Sequence, residues 1–337
     1  MVKLARTKAE LSEALAGLQG EVALVMTMGA LHDGHMTIVR EARKAAPNVV
    51  VSIFVNPRQF APGEDYESYP RDLEADLALL DDEIVFAPEV EEIYPREPLV
   101  TIDPGPVATI LEGASRPTHF AGVLQIVHKV FNLVRPTYAF FGQKDAQQLA
   151  LVRTMVADLD MPVTIRAVPI VRDVDGLALS SRNAYLSATE RIQALALSQA
   201  LFLGKDAAGR GLDPLEIARR YLAEAPGVTL DYLVLVDPDT FEEIEPGQRG
   251  EGEAAAAADG VSGGSRAAGD ASHPVGDASG AAARPAAANV TGDASGAAAR
   301  PAAEAAPTDK AGRTALLALA ARVGTTRLLD NMEIELH

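Results

Sequence analysis

Short apolar runs alternate with segments of helical spacing along the first half of the chain. The strand-like runs occupy residues 22–28, 48–56, 83–88, 138–142 and 163–171. Segments with helical spacing lie at about 34–46, 73–80, 119–134 and 146–159. Strands that alternate with helices are typical of parallel α/β sheets. We therefore predict a βα-repeating α/β domain with a parallel sheet over residues 1–176.

The pattern changes after residue 177. Two probable helices, at 187–204 and 214–224, precede a strand-like run at 230–237. A second apolar run lies at 314–323 and is followed by a terminal tail. This order predicts a smaller α+β C-terminal domain over residues 177–337, in which 230–237 and 314–323 are neighbouring strands.

A stretch of different composition separates those two strands. Of the 62 residues from 250 to 311, 24 are Ala and 10 are Gly, and the sequence GDASGAAARPAA occurs at 276–287 and again at 292–303. Gly, Pro, Asp and Ser interrupt every alanine run, so no apolar stripe is left to bury. We interpret this stretch as a low-complexity disordered insert in the loop between the strands.

Composition and charge exclude several function classes. The chain has 30 Lys plus Arg against 47 Asp plus Glu, which gives a net charge of −17. A negative field opposes binding to nucleic acid or to an anionic membrane, so we expect neither partner. The chain has no Cys, which excludes disulfides and thiolate metal sites, and it has no long uncharged apolar stretch. We expect a soluble, cytoplasmic protein.

The first buried strand leads into a turn that suits an anion. The turn contains Met28, Gly29, Ala30, Leu31, His32, Asp33, Gly34 and His35, and a helix is predicted to begin there. A helix N-terminus offers free N–H groups and a partial positive charge, and histidine can donate hydrogen bonds to phosphate oxygens. A capping turn with two surface histidines is the alternative. Neither a G-x-G-x-x-G nor a G-x-x-x-x-G-K-[ST] motif occurs, which argues against dinucleotide and P-loop chemistry.

Two further loops carry groups that suit phosphates. Leu179, Ser180, Ser181 and Arg182 follow the strand at 163–171, and Gly142, Gln143, Lys144 and Asp145 follow the strand at 138–142. Hydroxyls, a guanidinium and an ammonium all match phosphate oxygens. The alternatives are a capped helix start near Ser187 and a solvated Lys–Asp pair.

Uncharged polar groups mark another strand end. Asn56 and Gln59 follow the strand at 48–56, and Gln148 lies one turn into a predicted helix. Amides there can bind the hydroxyl and carboxylate groups of a small substrate. Taken singly, they also fit ordinary surface positions.

These segments together resemble the pantoate-β-alanine ligase family. Seven blocks match in the family's order: TMGALHDGH, FVNPRQF, GEDYESYPRD, RPTHFAGV, FGQKDAQQ, PIVRDVDGLALSSRN and ARVGTTRLLDN. The departures are mild, with Gln143 where Glu is common and Leu179 where Met is common. The insert at 250–311 has no counterpart in the family pattern.

The resemblance implies a fold and an activity. It implies a Rossmann-like nucleotidyltransferase domain followed by a smaller domain, in a protein that is usually a homodimer. It implies that the carboxylate of (R)-pantoate attacks the α-phosphorus of ATP in the presence of Mg2+, and that β-alanine then attacks the pantoyl adenylate.

The resemblance also implies residue roles. His35 is the expected proton donor, His32 contacts the phosphates, and Lys144 and Arg182 are the other expected catalytic groups. Residues 28–35, 142–145, Val171 and 179–182 form the expected ATP site. Gln59 and Gln148 are expected to hold pantoate, with Gln59 also serving β-alanine. The secondary candidates are Asn56, Tyr69, Arg116 and His119 for substrate, Asp76 for magnesium, and Arg172 as an additional cation.

Two other functions are kept open by the motifs. Another adenylyltransferase of the same superfamily would share the two-histidine turn but would lack the Gln59 and Gln148 pair. A non-catalytic nucleotide-binding domain would be expected to lose His32, His35, Lys144 or Arg182.

Overall fold

A six-stranded parallel sheet forms the centre of the computed structural model, which describes residues 2–245 and 312–337. The predicted insert at 250–311 lies outside the described residues. The strands are β1 (Lys3–Ala5), β2 (Val22–Thr27), β3 (Asn48–Ile53), β4 (Ile84–Phe86), β5 (Tyr138–Gly142) and β6 (Thr164–Val168). They are ordered β1-β4-β3-β2-β5-β6, and every pair is parallel. The predicted α/β class is therefore confirmed.

Helices cover both faces of this sheet. They are α1 (Lys8–Ala16), α2 (Asp33–Ala45), α3 (Leu73–Ala78), α4 (Val90–Ile93), α5 (Glu112–Ser115), α6 (His119–Val134) and α7 (Ala146–Asp158). Leu24 and Val50 point towards α1, α6 and α7, whereas Val25 and Val51 point towards α2 and α3. Successive side chains of a strand point to opposite faces of the sheet. Because helices cover both faces, these strands need apolar residues at consecutive positions.

The strand order reverses next to β2. β3 and then β4 lie on one side of β2, in chain order, whereas the next strand, β5, lies on the other side of β2. In open parallel sheets the crevice at such a reversal, beyond the carboxyl ends of the strands, is where ligands bind. A ligand site is therefore expected at the carboxyl ends of β2 and β5.

A second, antiparallel sheet lies in the C-terminal part. It consists of β7 (Val228–Val236), β8 (Arg313–Val323) and β9 (Thr326–Leu336), in that order. β7 and β8 are paired along their length, which confirms that the segments on either side of 250–311 are neighbouring strands. A two-residue turn joins β8 to β9, and Gly324 there has a φ of +58°.

Both faces of the second sheet are covered. Helices α8 (Ala188–Gly209) and α9 (Pro214–Ala223) pack on one face, α8 through Leu197 and Leu201 and α9 through Leu222. On the other face, Val236 and Leu316 pack against Ala150 of α7. Both sheets belong to the same compact unit of the chain, and the domain boundary at residue 176 stays a prediction.

The element bounds differ from the sequence prediction at several places. The first strand and helix, β1 and α1, were not predicted. β1 has three residues, which are too few to show periodicity, and only Leu11 and Ala14 of α1 are buried. β6 ends at Val168 rather than residue 171, since Pro169 has no N–H for the ladder. The terminal tail forms β9, which pairs with β8 over its whole length.

A buried ion pair links the last strand to the loop that follows β6. The two terminal nitrogens of Arg172 donate to the two carboxylate oxygens of Asp330, at 2.6 and 2.8 Å. The Asp330 side chain is 3% exposed and that of Arg172 is 16% exposed. The expectation that Arg172 adds positive charge to the site does not fit this pairing, because Asp330 neutralises Arg172 and Arg172 does not line the cavity described below.

Replacing Asp330 by Asn should destabilise the fold. The substitution leaves the Arg172 guanidinium without its counter-charge, and breaking a buried pair in this way costs about 3 kcal/mol. Urea denaturation measures the free energy of unfolding.

Asp239→Asn provides the control, because Asp239 pairs with Arg153 at an exposed position. That change should cost no more than about 1 kcal/mol. Equal losses of unfolding free energy in the two variants would show that burial does not make the Arg172–Asp330 pair more stabilising than an exposed pair.

Candidate active site

A cavity of about 1130 Å³ opens where the strand order reverses. Residues of both sheets line it, including the ends of β2 and β5 and part of β9. The predicted site residues that line it are Met28, His32, Gly34, His35, Asn56, Gln59, Tyr69, Arg116, His119, Gly142, Lys144, Asp145, Gln148, Val171, Leu179, Ser180, Ser181 and Arg182. Loops far apart in sequence therefore meet around one space.

Seven predicted residues are not part of the cavity lining. They are Gly29, Ala30, Leu31, Asp33, Gln143, Asp76 and Arg172, whose pairing with Asp330 is described above. The side chain of Gln143 donates instead to a carboxylate oxygen of Glu333, at 2.9 Å. The other five belong to the turn after β2 or lie behind it.

A buried carboxylate fixes the turn after β2. The two oxygens of Asp76 accept the backbone N–H groups of Ala30 and Leu31, at 3.1 and 2.7 Å. Gly29 and Ala30 have φ values of +83° and +50°, a region that disfavours residues with a Cβ. The two hydrogen bonds therefore hold a backbone shape that the sequence does not favour by itself.

Asp76 lies behind the turn and is 3% exposed. Burial raises the pKa of its carboxyl, against the opposing effect of the two N–H donors. Both oxygens of this carboxylate are engaged by the turn, and Asp76 does not line the cavity.

The turn places two histidine rings against each other at the start of α2. The ring centroids of His32 and His35 are 4.1 Å apart. Nδ1 of His32 accepts the N–H of Gly34 at 3.1 Å, so the proton of the neutral ring is on Nε2. A Cβ on Gly34 would come within 2.8 Å of the His32 ring, so a glycine is needed there.

His35 is held in its neutral form. Burial, and then the neighbouring His32, lower the pKa of His35 to about 3. Its Nδ1 is buried and makes no hydrogen bond within the part of the chain that the structure describes. The pair therefore offers neutral N–H donors at neutral pH rather than a positive charge.

The last strand supports the loop that carries Lys144. Nδ2 of Asn331, on β9, donates to the carbonyl oxygens of Gln143 and Lys144, at 3.0 and 2.9 Å. Asn331 is 6% exposed, and it also lines the cavity. Sequence reasoning missed this residue, although it ends the last of the matching blocks.

Two arginines of the cavity are paired with consecutive carboxylates. Arg182 contacts both oxygens of Asp65 at 3.0 and 2.9 Å, and Arg116 contacts both oxygens of Glu64 at 2.8 and 2.6 Å. Such two-point contacts fit the planar guanidinium. The loop after Gly63 thus places acidic groups where anionic substrates would be expected to bind, a role that the sequence did not indicate.

The loop with Arg182 and the capped start of α8 are both present in the structure. Ser180 caps the turn Ser181–Tyr185 by accepting the N–H of Arg182, while α8 begins with a capping box formed by Ser187 and Glu190. The helix start and the cavity loop are therefore separate neighbouring features.

Gln59 and His119 are joined through a backbone carbonyl. Nδ1 of His119 donates to the carbonyl oxygen of Gln59 at 2.9 Å, because that oxygen can only accept. Burial, and then the charge of Arg116, lower the pKa of His119 to about 4. This neutral ring therefore supports the backbone of Gln59.

The described residues contain neither a cluster of metal ligands nor a membrane-spanning helix. No group of three or more His, Asp or Glu side chains there could hold a metal ion by itself. None of the helices in residues 2–245 and 312–337 is long and apolar enough to cross a membrane.

The sequence matches known proteins over most of its length. Residues 3–266 match the family model for pantoate-β-alanine ligase. A pantothenate synthetase of Thermobifida fusca is 54% identical over 264 residues, which are 74% of this chain and 89% of that protein. One of Corynebacterium glutamicum is 56% identical over 253 residues, 72% of this chain and 90% of that protein.

Solved structures agree with this assignment. A pantothenate synthetase of Thermus thermophilus matches with a TM-score of 0.76 and 37% identity, covering 99% of this chain and 100% of that one. A pantoate-β-alanine ligase of Francisella tularensis, complexed with beta-gamma ATP and β-alanine, matches with a TM-score of 0.67 and 26% identity over 98% and 97% of the two chains. The chain belongs to the pantoate-β-alanine ligase family.

Proposed function

We propose that this cavity joins (R)-pantoate to β-alanine in two steps that consume ATP. In the first step, a pantoate carboxylate oxygen attacks the α-phosphorus of ATP, and the bond to the β-phosphate breaks to release pyrophosphate. In the second, the β-alanine amine attacks the acyl carbon of pantoyl adenylate, and AMP leaves as an amine proton is lost. One observation carries the proposal: phosphate-binding groups and small-substrate amides line the same cavity.

The phosphates are assigned to the side of the cavity near β2 and β5. The N-terminus of α2 offers free N–H groups, and Nε2 of His32 carries a proton that it can donate. Lys144 adds positive charge, and Arg182 can add more where the anionic substrate displaces Asp65 from it. Such groups stabilise the negative charge that develops on the departing pyrophosphate.

Neutral histidines suit this chemistry better than a strong acid or base. A carboxylate is already a nucleophile at neutral pH, so no protein base is needed in the first step. His35, with its lowered pKa, contributes by donating a hydrogen bond to phosphate oxygen rather than by transferring a proton before the attack.

The small substrates are assigned to the side with Gln59 and Gln148. Both line the cavity, with Arg116, His119 and Tyr69 nearby in its wall. The adjacent Gln147 is 5% exposed and donates to the carbonyls of Val107 and Ile110, so it serves the fold instead. The anionic substrates must compete with Glu64 and Asp65 for the two arginines.

Magnesium is proposed to arrive with ATP. Mg2+ usually keeps several waters and binds substrate phosphates with one or two carboxylates, and when bound it neutralises phosphate charge. Asp145 lines the cavity beside Lys144 and is a carboxylate that could approach such an ion. We also propose that the protein acts as a cytoplasmic homodimer and divides into two domains near residue 176.

Exchange of labelled pyrophosphate into ATP tests the two-step order. The exchange should require pantoate and Mg2+ and should proceed without β-alanine, because the first step is reversible by itself. Lys144→Ala and His35→Ala should each slow the exchange by roughly 10²- to 10³-fold, since each removes one electrostatic donor.

Other outcomes would identify other functions. A different adenylyltransferase would ignore pantoate, and a non-catalytic nucleotide-binding domain would show no exchange. AMP release that needs β-alanine, with no pantoate-dependent exchange, would replace the adenylate pathway by a concerted one.

The neutral histidines should make stability depend on pH. His35 and His119 have lowered pKa values in the folded protein, about 3 and 4, so between these values and about 6.5 the unfolded chain binds more protons. The free energy of unfolding should therefore fall as the pH drops from 7.5 to 5.5, by roughly 1 kcal/mol for each ring.

Urea denaturation of His119→Asn at both pH values checks this expectation. Asparagine can still donate to the Gln59 carbonyl but does not titrate, so the difference between pH 7.5 and 5.5 should shrink by roughly 1 kcal/mol. His337→Asn, at the exposed C-terminal residue, should leave the difference unchanged. An unaltered difference in His119→Asn would show that His119 does not have the low pKa.

A further inference from the structure

A chain of hydrogen bonds runs from Tyr94, outside the cavity lining, to Gln59 inside it. The hydroxyl of Tyr94, which follows α4, lies 3.0 Å from Oδ1 of Asn56. Nδ2 of Asn56 lies 3.1 Å from Oε1 of Gln59. Tyr94 does not line the cavity, so it cannot contact a substrate there.

The orientation of the Asn56 amide is fixed by backbone groups. Its Oδ1 accepts the N–H of Arg58 at 3.3 Å, and its Nδ2 donates to the carbonyl oxygen of Gly122 at 3.0 Å. A backbone N–H can only donate and a carbonyl can only accept, so the amide cannot be turned over without losing both bonds. Asn56 is 1% exposed, and its amide is fully occupied by the protein. It therefore does not bind substrate directly.

The position of α6 makes this arrangement rigid. A Cβ on Gly122 would overlap the carbonyl group of Arg58, so the backbone of α6 lies directly against the turn Pro57–Gln59. A larger residue at 122 would push the helix away and break the contact with Asn56.

The fixed amide of Asn56 determines the amide of Gln59. Because Asn56 presents N–H groups, the Gln59 atom that faces it is the oxygen. Nε2 of Gln59 then points the other way, 3.0 Å from the sulfur of Met28 at the cavity wall. Sulfur is a weak acceptor, so this N–H group remains available for a stronger one.

Tyr94 is suited to hold Asn56 from the other side. Burial raises the pKa of its hydroxyl to about 12, against the effect of the nearby Arg58, so the hydroxyl stays protonated and donates. Two neighbours pack against the Tyr94 ring. The ring centroid of Phe54 lies 6.3 Å from that of Tyr94, and Nζ of Lys129 lies 5.4 Å from the Tyr94 centroid.

We propose that Tyr94 is a positioning residue which, through Asn56, makes Gln59 present an N–H donor to the cavity, so that Gln59 binds an acceptor oxygen of pantoate. The same geometry disfavours contact between Gln59 and an ammonium group, because the Gln59 oxygen faces Asn56. The assignment of the acceptor to pantoate rests on the proposed function.

Tyr94→Phe tests the role of the hydroxyl. It removes one hydrogen bond and keeps the ring, so the KM for pantoate should rise roughly two- to tenfold. The KM for ATP, and kcat, should stay within about twofold, since ATP is assigned to the other side of the cavity and does not depend on the Gln59 donor. Tyr138→Phe is the control, because that hydroxyl donates to Glu21 at a site that is not part of the cavity lining.

A double-mutant cycle separates positioning from general loosening. In a Gln59→Ala background, Tyr94→Phe should have no further effect on the KM for pantoate, since the group it orients is gone. An undiminished effect in that background, a similar rise in the KM for ATP, or an unchanged KM for pantoate in Tyr94→Phe would each overturn the proposal. Failure of the proposed function has a different signature, because the unsubstituted protein itself would then lack pantoate-dependent pyrophosphate exchange.

Discussion

The candidate site depends on the two hydrogen bonds that Asp76 accepts from the turn after β2. That turn passes through positive φ at Gly29 and Ala30 before α2 begins. Without a partner for the N–H groups of Ala30 and Leu31, the turn would have buried, unpaired donors next to strained backbone. The carboxylate satisfies both donors at once, and so fixes where α2 starts and where His32 and His35 point.

The second sheet completes the site from the other side of the cavity. Asn331 on β9 holds the carbonyls of the Lys144 loop, and the neighbouring Asp330 holds Arg172. Two consecutive residues of the last strand therefore tie the loops after β5 and β6 to one another. The position of Lys144 is consequently a property of the whole described fold rather than of its own loop.

Much of this architecture could be predicted from the sequence, because the spacing of apolar residues and the positions of the motifs depend on local structure. The alternating pattern predicted the strands of the parallel sheet from β2 to β6, and the glycine-bearing turn predicted the start of α2. The pairing of β7 with β8 followed from two apolar runs on either side of a stretch that could not pack. Cavity-lining residues such as His32 and Gln59 could be chosen because they follow strand ends.

The remaining features depend on partners that are distant in sequence. Asp76 was named as a magnesium candidate through the family resemblance. Its contacts with the turn could not be predicted, because the two backbone donors lie 45 residues or more away. Arg172 looked like a free cation because Asp330 is 158 residues away. Tyr94 lies in none of the matching blocks, and Asn331 ends one of them but was given no role. Each acts through a hydrogen bond to another residue's amide or carbonyl, which the sequence does not show.

The most direct test of this account replaces Asp76 by Asn and compares it with Asp72→Asn on the same helix. Asp72 caps α3 by accepting the N–H of Ala75, and Asn is an equally good cap. For Asp76→Asn, the account predicts faster hydrogen exchange at the amides of Ala30 and Leu31, together with a loss of roughly tenfold or more in kcat/KM for ATP. Asp72→Asn should change neither quantity. If Asp76→Asn speeds exchange at these amides but leaves kcat/KM for ATP unchanged, the fixed turn is not what builds the nucleotide site.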